Sequence, residues 1–223
     1  NPLSSHLEVE LNKRQNKTSS NSHANAIWQF AMDTYTKYGL RVSMNVVIDE
    51  FILDKVEYNT GKTNHLAHSL RLAWSPKNKD IPILFYFQFI NNGTNTFKHG
   101  NGLNNFVQRN FPLGSSLGND AKETRLGLSF YNTENYIFDI EYGFDQVGEK
   151  NMNYNLYEPN FSYEGTFPSG EIVEKTFLNL KFLKLISNFS GIIFEGNWSK
   201  RTKSKGSFIF KTGLYYGINL KKI

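Results

Sequence analysis

Residues 39–49 read Gly39-Leu40-Arg41-Val42-Ser43-Met44-Asn45-Val46-Val47-Ile48-Asp49. Leu40, Val42, Met44, Val46 and Ile48 recur at every second position, with Arg41, Ser43, Asn45 and Asp49 on the alternate side. Successive side chains of an extended strand point to opposite faces, so this spacing makes one side apolar and the other polar. Wound into a helix, the same residues would be scattered around the axis.

The pattern repeats in both directions along the chain. Leu66, Leu70, Leu72 and Trp74 oppose His65, Ser69 and Arg71, and Ile81, Ile83, Phe85, Phe87 and Phe89 form the next apolar face. Leu126, Leu128 and Phe130 oppose Glu123, Arg125 and Ser129. Tyr136, Phe138, Ile140, Tyr142 and Phe144 oppose Asp139 and Glu141. Leu178, Leu180 and Phe182 oppose Lys175, Asn179 and Lys181, and Ile192, Phe194 and Trp198 oppose Glu195 and Asn197. Phe208, Phe210, Leu214, Tyr216, Ile218 and Leu220 oppose Ser207, Lys211 and Asn219. Trp28, Phe30 and Met32 share a face, as do Leu7, Val9 and Leu11, so that about ten strands are predicted.

A soluble sandwich also alternates. Two features favour a barrel that crosses a bilayer. Many segments approach the roughly 9–11 residues of a tilted membrane strand and exceed the roughly 5–6 of an ordinary one. The connections also alternate short and long. Short ones fall at Lys37-Tyr38, Pro76 to Asp80, Asn132 to Asn135 and Ser187-Asn188. Longer ones fall at Lys13 to His23, Asp54 to Asn64, 92–121 and 146–171, and Lys200 to Lys205 falls in phase with them. Short periplasmic turns and long external loops give this rhythm. On that map Tyr38, Trp74, Tyr131, Tyr136 and Tyr216 mark the periplasmic interface, and Trp28, Phe144 and Trp198 the outer one.

Composition agrees with this class. Hydrophobic residues make up 39% of the 223-residue chain, yet mean hydropathy is negative. A barrel strand shows lipid only every second side chain, so its average stays low. There is no apolar run of about 18 residues for a membrane helix. The chain starts at Asn1 with no charged n-region or apolar h-region, so the expectation is that whatever preceded it has been removed. The chain contains no cysteine, which excludes disulfides, thiolate metal sites and a cysteine nucleophile. Net charge is +5. Its one notable cluster, Lys200-Arg201-Thr202-Lys203-Ser204-Lys205, reads as a lysine-rich outer loop; nucleic-acid binding would need a basic face with stacking aromatics.

Local motifs do not argue for catalysis. His65 and His68 lie on opposite sides of a strand, so they make no shared metal site. Asn119-Asp120 offers far fewer oxygens than the roughly 6–8 that calcium takes. A Ser–His lipase would need a serine, a histidine and an orienting partner brought together, and no spacing near His99-Gly100-Asn101-Gly102 argues for it. The expectation is a protein without metal, cofactor or catalytic residues. The inward face carries Arg41, Arg71, Arg125, Lys175, Lys181 and Lys211 against Asp49, Glu123, Asp139, Glu141 and Glu195. These charges either coat a water-filled pore or pair across a blocked lumen. The loop 151–163 mixes aromatics with amides, a combination that stacks on sugar C–H faces and hydrogen-bonds their hydroxyls.

Several segments resemble the Wzi family of outer-membrane capsule-assembly proteins. They are Gly39 to Asn45 running into Asp49-Glu50-Phe51; His99-Gly100-Asn101-Gly102, Asn110-Phe111-Pro112-Leu113-Gly114 and Leu117-Gly118-Asn119-Asp120; and Phe167-Pro168-Ser169-Gly170. The resemblance spans about Gly39 to Gly170. It implies a monomeric, non-catalytic surface lectin that holds capsular or extracellular polysaccharide on a Gram-negative cell. It also implies a barrel larger than ten strands with a helical plug, of which this chain, as a single domain 1–223, would be the C-terminal portion. Lys211 to Ile218 resembles the C-terminal signal read by the outer-membrane assembly machinery, with an ending at Ile223 that departs from it. Asn101, Asn104, Asn105, Arg109, Tyr154, Asn155, Tyr157 and Asn160 are the candidate polysaccharide contacts, with Arg109 pairing acidic sugar groups and the tyrosines stacking. A porin or transport channel is the alternative, and a barrel phospholipase a third reading.

Overall fold

The computed structural model describes residues 27–50, 65–76, 82–99, 102–109, 111–132, 136–158, 165–187 and 190–216. The segment Leu7 to Leu11, the connections 13–23 and 54–64, and the final Ile218 and Leu220 lie outside them. The fold is all-β, and no described residue is α-helical.

Nine strands form one antiparallel sheet: β1 (Trp28–Tyr35), β2 (Leu40–Glu50), β3 (His65–Trp74), β4 (Ile83–Asn92), β7 (Ala121–Asn132), β8 (Tyr136–Val147), β9 (Val173–Ser187), β10 (Ser190–Arg201) and β11 (Ser207–Tyr216). Each pairs with its sequence neighbours. Between β4 and β7 lie a 3-10 turn, Gly102–Asn104, and a short hairpin of β5 (Val107–Gln108) and β6 (Phe111–Pro112). Nine of the ten strands expected from alternation are therefore present, and the tenth falls outside the described residues.

Register converts the period-two pattern into two continuous faces. Phe85 pairs with Trp74 and Leu128; Leu128 pairs with Ile140, and Ile140 with Leu180. Phe182 pairs with Phe138 and Phe194, and Trp198 with Leu178 and Phe208. Directly opposed residues share a face, so this side is apolar from β1 to β11. Rings stack along it from Phe130 through Tyr136, Phe182 and Phe194 to Phe210, at centroid spacings of 5.9 to 6.4 Å. Register shifts occur at Ile48/Glu50 and at Ser190/Gly191, both at strand ends.

The apolar face is also the exposed one. Each of the nine strands contributes a large exposed apolar side chain to it: Phe30, Met44, Leu66, Phe85, Leu126, Tyr142, Leu180, Phe194 and Phe208. On the opposite face Glu123 and Asp145 are buried, each only 3% exposed. A soluble sheet buries its apolar side. Here each strand leaves large apolar side chains exposed on that side.

The connections at the two ends differ in kind. The β1–β2 turn is tight: Thr36 N donates to Leu40 O at 2.8 Å and Gly39 N to Thr36 O at 3.1 Å. Gly39 has φ +84, and a Cβ there would lie 2.0 Å from Ser75 O, so only glycine lets this turn rest against the end of β3. β7 ends at Asn132 and β8 starts at Tyr136 at that end of the sheet, as β9 ends at Ser187 and β10 starts at Ser190. The long connections 93–120 and 148–172 leave from the other end. The sheet has two edges among the described residues, β1 and β11, and does not close there.

Candidate functional site

Two long loops interlock over one end of the sheet, and polar side chains hold them. Asp120 is fully buried. Its carboxylate accepts from Thr94 Oγ1 at 2.7 Å, Ser169 N at 2.9 Å, Ser169 Oγ at 2.5 Å and Lys150 N at 3.1 Å. Thr94 lies in the first loop and Ser169 and Lys150 in the second, so one carboxylate fastens both. Its φ of +49 is a left-handed conformation that Asp tolerates better than most residues. Gly148 permits the approach, since a Cβ there would sit 2.2 Å from Asp120 Oδ2.

Amides continue the fastening. Asn119 donates to Thr94 O and, at 3.3 Å, to Lys150 O, and accepts from Met152 N at 2.6 Å. Asn151 donates to Asn119 O and to Leu117 O, the latter at 2.7 Å, and Asn92 donates to Gly118 O at 2.7 Å. The sheet joins in where Asp49 accepts from Phe97 N at 2.6 Å and Thr96 Oγ1 donates to Leu66 O at 2.9 Å. A small apolar cluster of Ala67, Phe97 and Met152, with Phe106 stacked on Phe97 at 5.7 Å, fills the centre. Buried loop backbone needs such partners, and here side chains supply them.

The candidate polysaccharide residues fall into three groups. Arg109, Tyr154, Asn155 and Tyr157 are exposed on this cap. Arg109 sits in the β5–β6 hairpin connection with φ +50, and Asn155 Oδ1 accepts from Tyr157 N at 3.4 Å. Asn105 is buried, and its amide donates to Leu156 O at 3.0 Å and Glu158 O at 2.9 Å while accepting from His99 N at 2.7 Å. It joins the Arg109 segment to the Tyr154–Tyr157 segment. Asn101 and Asn160 lie outside the described residues, and of Asn104 the structure gives only the backbone of the 3-10 turn. Lys98 reinforces the junction through Glu158 at 3.0 Å.

Asn119 and Asp120 thus spend their oxygens on protein donors, which a pattern of two adjacent residues cannot reveal. His65 and His68 do lie on opposite faces: His68 pairs with Val46 on the apolar side, while His65 is buried on the other. Among the described residues no group of three or more His, Cys, Asp or Glu side chains is placed to hold a metal ion.

The charged face below the cap is a connected network. Arg125 bridges Glu123 at 2.7 Å and Glu141 at 3.4 Å. Glu141 also accepts from Asn179 at 3.0 Å and from the Tyr86 hydroxyl, and Gln88 donates to Glu123 at 3.0 Å. The Arg71 guanidinium lies 4.5 Å over the Tyr86 ring, and that of Arg125 5.2 Å over Phe177. Register also lines up Asp139, Lys181, Glu195 and Lys211, alternating in sign across four strands. The sequence reading missed Tyr86 and Phe177. Their signal lies across strands, where only register reveals it: Tyr86 directly opposes Gly127, and Phe177 opposes Gly143. Each ring occupies the space a Cβ would take, 2.0 Å from its position in both cases. A ring lying over a cross-strand glycine is a known way to fill such a gap.

No family model, curated protein or solved structure matches the chain.

Proposed function

We propose that the chain forms the wall and outer-loop cap of a bacterial outer-membrane β-barrel, which holds capsular or extracellular polysaccharide without catalysing a reaction. One observation carries this reading: every strand of a nine-stranded sheet exposes apolar side chains on one face, while the other face carries the charged side chains, with Glu123 and Asp145 buried among them. In water each exposed apolar side chain forgoes a burial gain of roughly 1.5–3 kcal/mol. Against lipid the same face is correctly placed, and the charges belong to an interior that pairs them.

Lipid also demands closure, because an open edge leaves backbone groups without partners. Strands β1 and β11 are separated by an even number of reversals and so run in the same direction. An all-antiparallel closure therefore takes an odd number of further strands, in keeping with a larger barrel of the kind that the Wzi resemblance implies. The interconnected charges favour a blocked lumen over an open channel.

The cap is the polysaccharide surface in this reading. Arg109, Tyr154, Asn155 and Tyr157 supply a cation, two rings and an amide on a framework that Asp120 and Asn105 hold rigid. Asn101, Asn104 and Asn160 belong to it by sequence position. A deletion strain complemented with the intact gene should retain surface polysaccharide. The double variant Tyr154→Ala/Tyr157→Ala should reach the outer membrane normally but retain several-fold less. Full retention by that variant rejects the binding surface. A steady open conductance in planar bilayers would turn the reading towards a transport channel.

A further inference from the structure

We propose that the turn joining β10 to β11 is a phosphate-binding rim for outer-leaflet lipid. The inference rests on the membrane reading above and adds a ligand-binding surface separate from the cap.

Lys200, Arg201, Lys203 and Lys205 fall within six residues, all of them exposed. The turn is fixed in shape. Arg201 N donates to Ser204 Oγ at 3.1 Å, Ser204 N to Arg201 O at 3.0 Å, and Lys203 adopts φ +61. It is also tied to β9: Thr202 N donates to Glu174 O at 2.8 Å, and Glu174 N to Thr202 Oγ1 at 2.8 Å. A rigid backbone loses less freedom on binding than a flexible basic tail.

Neighbouring acids neutralise only part of the charge. Glu171 pairs with Lys203, and Glu174 accepts from Gln146 Nε2 at 3.0 Å. Among the described residues no carboxylate lies within ion-pair distance of Lys200, Arg201 or Lys205. Three cations remain for an external anion.

Position selects the anion. Trp198 opposes Phe208 on the apolar face, and the alternation of β10 puts Lys200 on that face two residues further out. Two residues of strand rise about 6–7 Å. Tryptophan is enriched at the level where hydrocarbon meets headgroups, so the Lys200 ammonium reaches headgroup depth. Gly206 leaves room for the Trp198 indole beneath the turn, with Nε1 3.0 Å from where a Cβ would lie. The turn offers cations and hydroxyls but no aromatic ring, which suits phosphate rather than a sugar face.

The test places the full chain in phosphatidylcholine nanodiscs that contain a little fluorescent glycolipid, either bis-phosphorylated or dephosphorylated. Energy transfer from tryptophan reports the lipid beside the protein. The phosphorylated form should be enriched about tenfold, since each exposed cation near an anionic surface is worth about fivefold before shielding by Glu171 and Glu174. K200Q/R201Q/K203Q/K205Q should lose the preference, whereas replacing the three lysines with arginine should keep it. Should the glutamine variant fail to insert, about 0.5 M salt applied to the wild type should abolish the preference instead. Equal enrichment of the two lipids, a preference that survives both charge removal and salt, or displacement by an acidic oligosaccharide overturns the proposal. Wild-type protein that does not enter the nanodisc at all overturns the membrane reading itself.

Discussion

The wall and the cap of this molecule are built by opposite rules. In the wall, backbone ladders satisfy the main chain and side chains only have to alternate. In the cap, side chains do the work that the ladder does elsewhere. Among the described residues Met152, Asn119, Asn151, Thr96, Asp120 and Ser169 are the largest fully buried side chains, and five of these six are polar. Among the described residues the most enclosed side chains therefore form a hydrogen-bonded polar cluster at one end, while every strand of the sheet leaves a large apolar side chain exposed. A soluble domain shows the converse, and the contrast gives each region a different vulnerability.

Breaking the cap should have the largest effect. Asp120→Ala removes the acceptor of four hydrogen bonds and strands buried donors from three residues. The expected loss is about 4 kcal/mol of cap stability. Limited proteolysis should cut 93–120 and 148–172 rapidly while leaving the strands intact. Equal protection of the two proteins would mean that the cap does not depend on this carboxylate.

Charging the wall comes next. Leu126 lies on the apolar face and is 54% exposed. In a water-facing sheet Leu126→Arg would change stability by no more than about 0.5 kcal/mol. Near a bilayer midplane it should cost about 2–4 kcal/mol. Denaturant titration of the reconstituted protein separates the two environments.

Gly143→Ala perturbs the charged side of the wall. The new methyl would lie 2.0 Å from Phe177 Cζ, so the ring must move away from its place beside Arg125. Overpacking of this kind costs about 1–3 kcal/mol. Gly143→Ala combined with Phe177→Leu should recover part of the loss in the same titration.

The smallest effect concerns pH at the rim. The Lys203 ammonium beside Glu171 holds that carboxyl below its ordinary value of 4.5. A depressed carboxyl favours the folded arrangement above that value, and the advantage fades as pH falls through the lowered one. Both side chains are well exposed, so overall stability should not change. Amide exchange in the 200–205 turn should quicken below pH 4.5 relative to the cap.

The same contrast explains what could be read from the residues alone. The strands were legible because period two is a local property: Leu40 to Ile48 declares its faces without knowledge of β3. The charged face was legible for the same reason, down to Arg125, Glu123 and Glu141. The cap was not, because its bonds join positions far apart in sequence, as Asn105 does to Leu156 and Glu158, and Asp120 to Ser169. From sequence Asn105 and Arg109 look equivalent, one a buried tie and the other an exposed cation. Tyr86 and Phe177 were hidden by the same limit, since the glycines they cover lie on neighbouring strands.

If the apolar face meets lipid, the chain carries its own probes of it. All three tryptophans, Trp28, Trp74 and Trp198, pair in register with apolar-face residues: Ile48, Leu40 and Phe208. In vesicles made with acyl chains brominated near the headgroup, their emission should fall strongly, less so with bromines at the bilayer centre, and aqueous acrylamide should have little effect. Emission that ignores brominated lipid and is quenched by acrylamide, from protein soluble without detergent, would contradict the account.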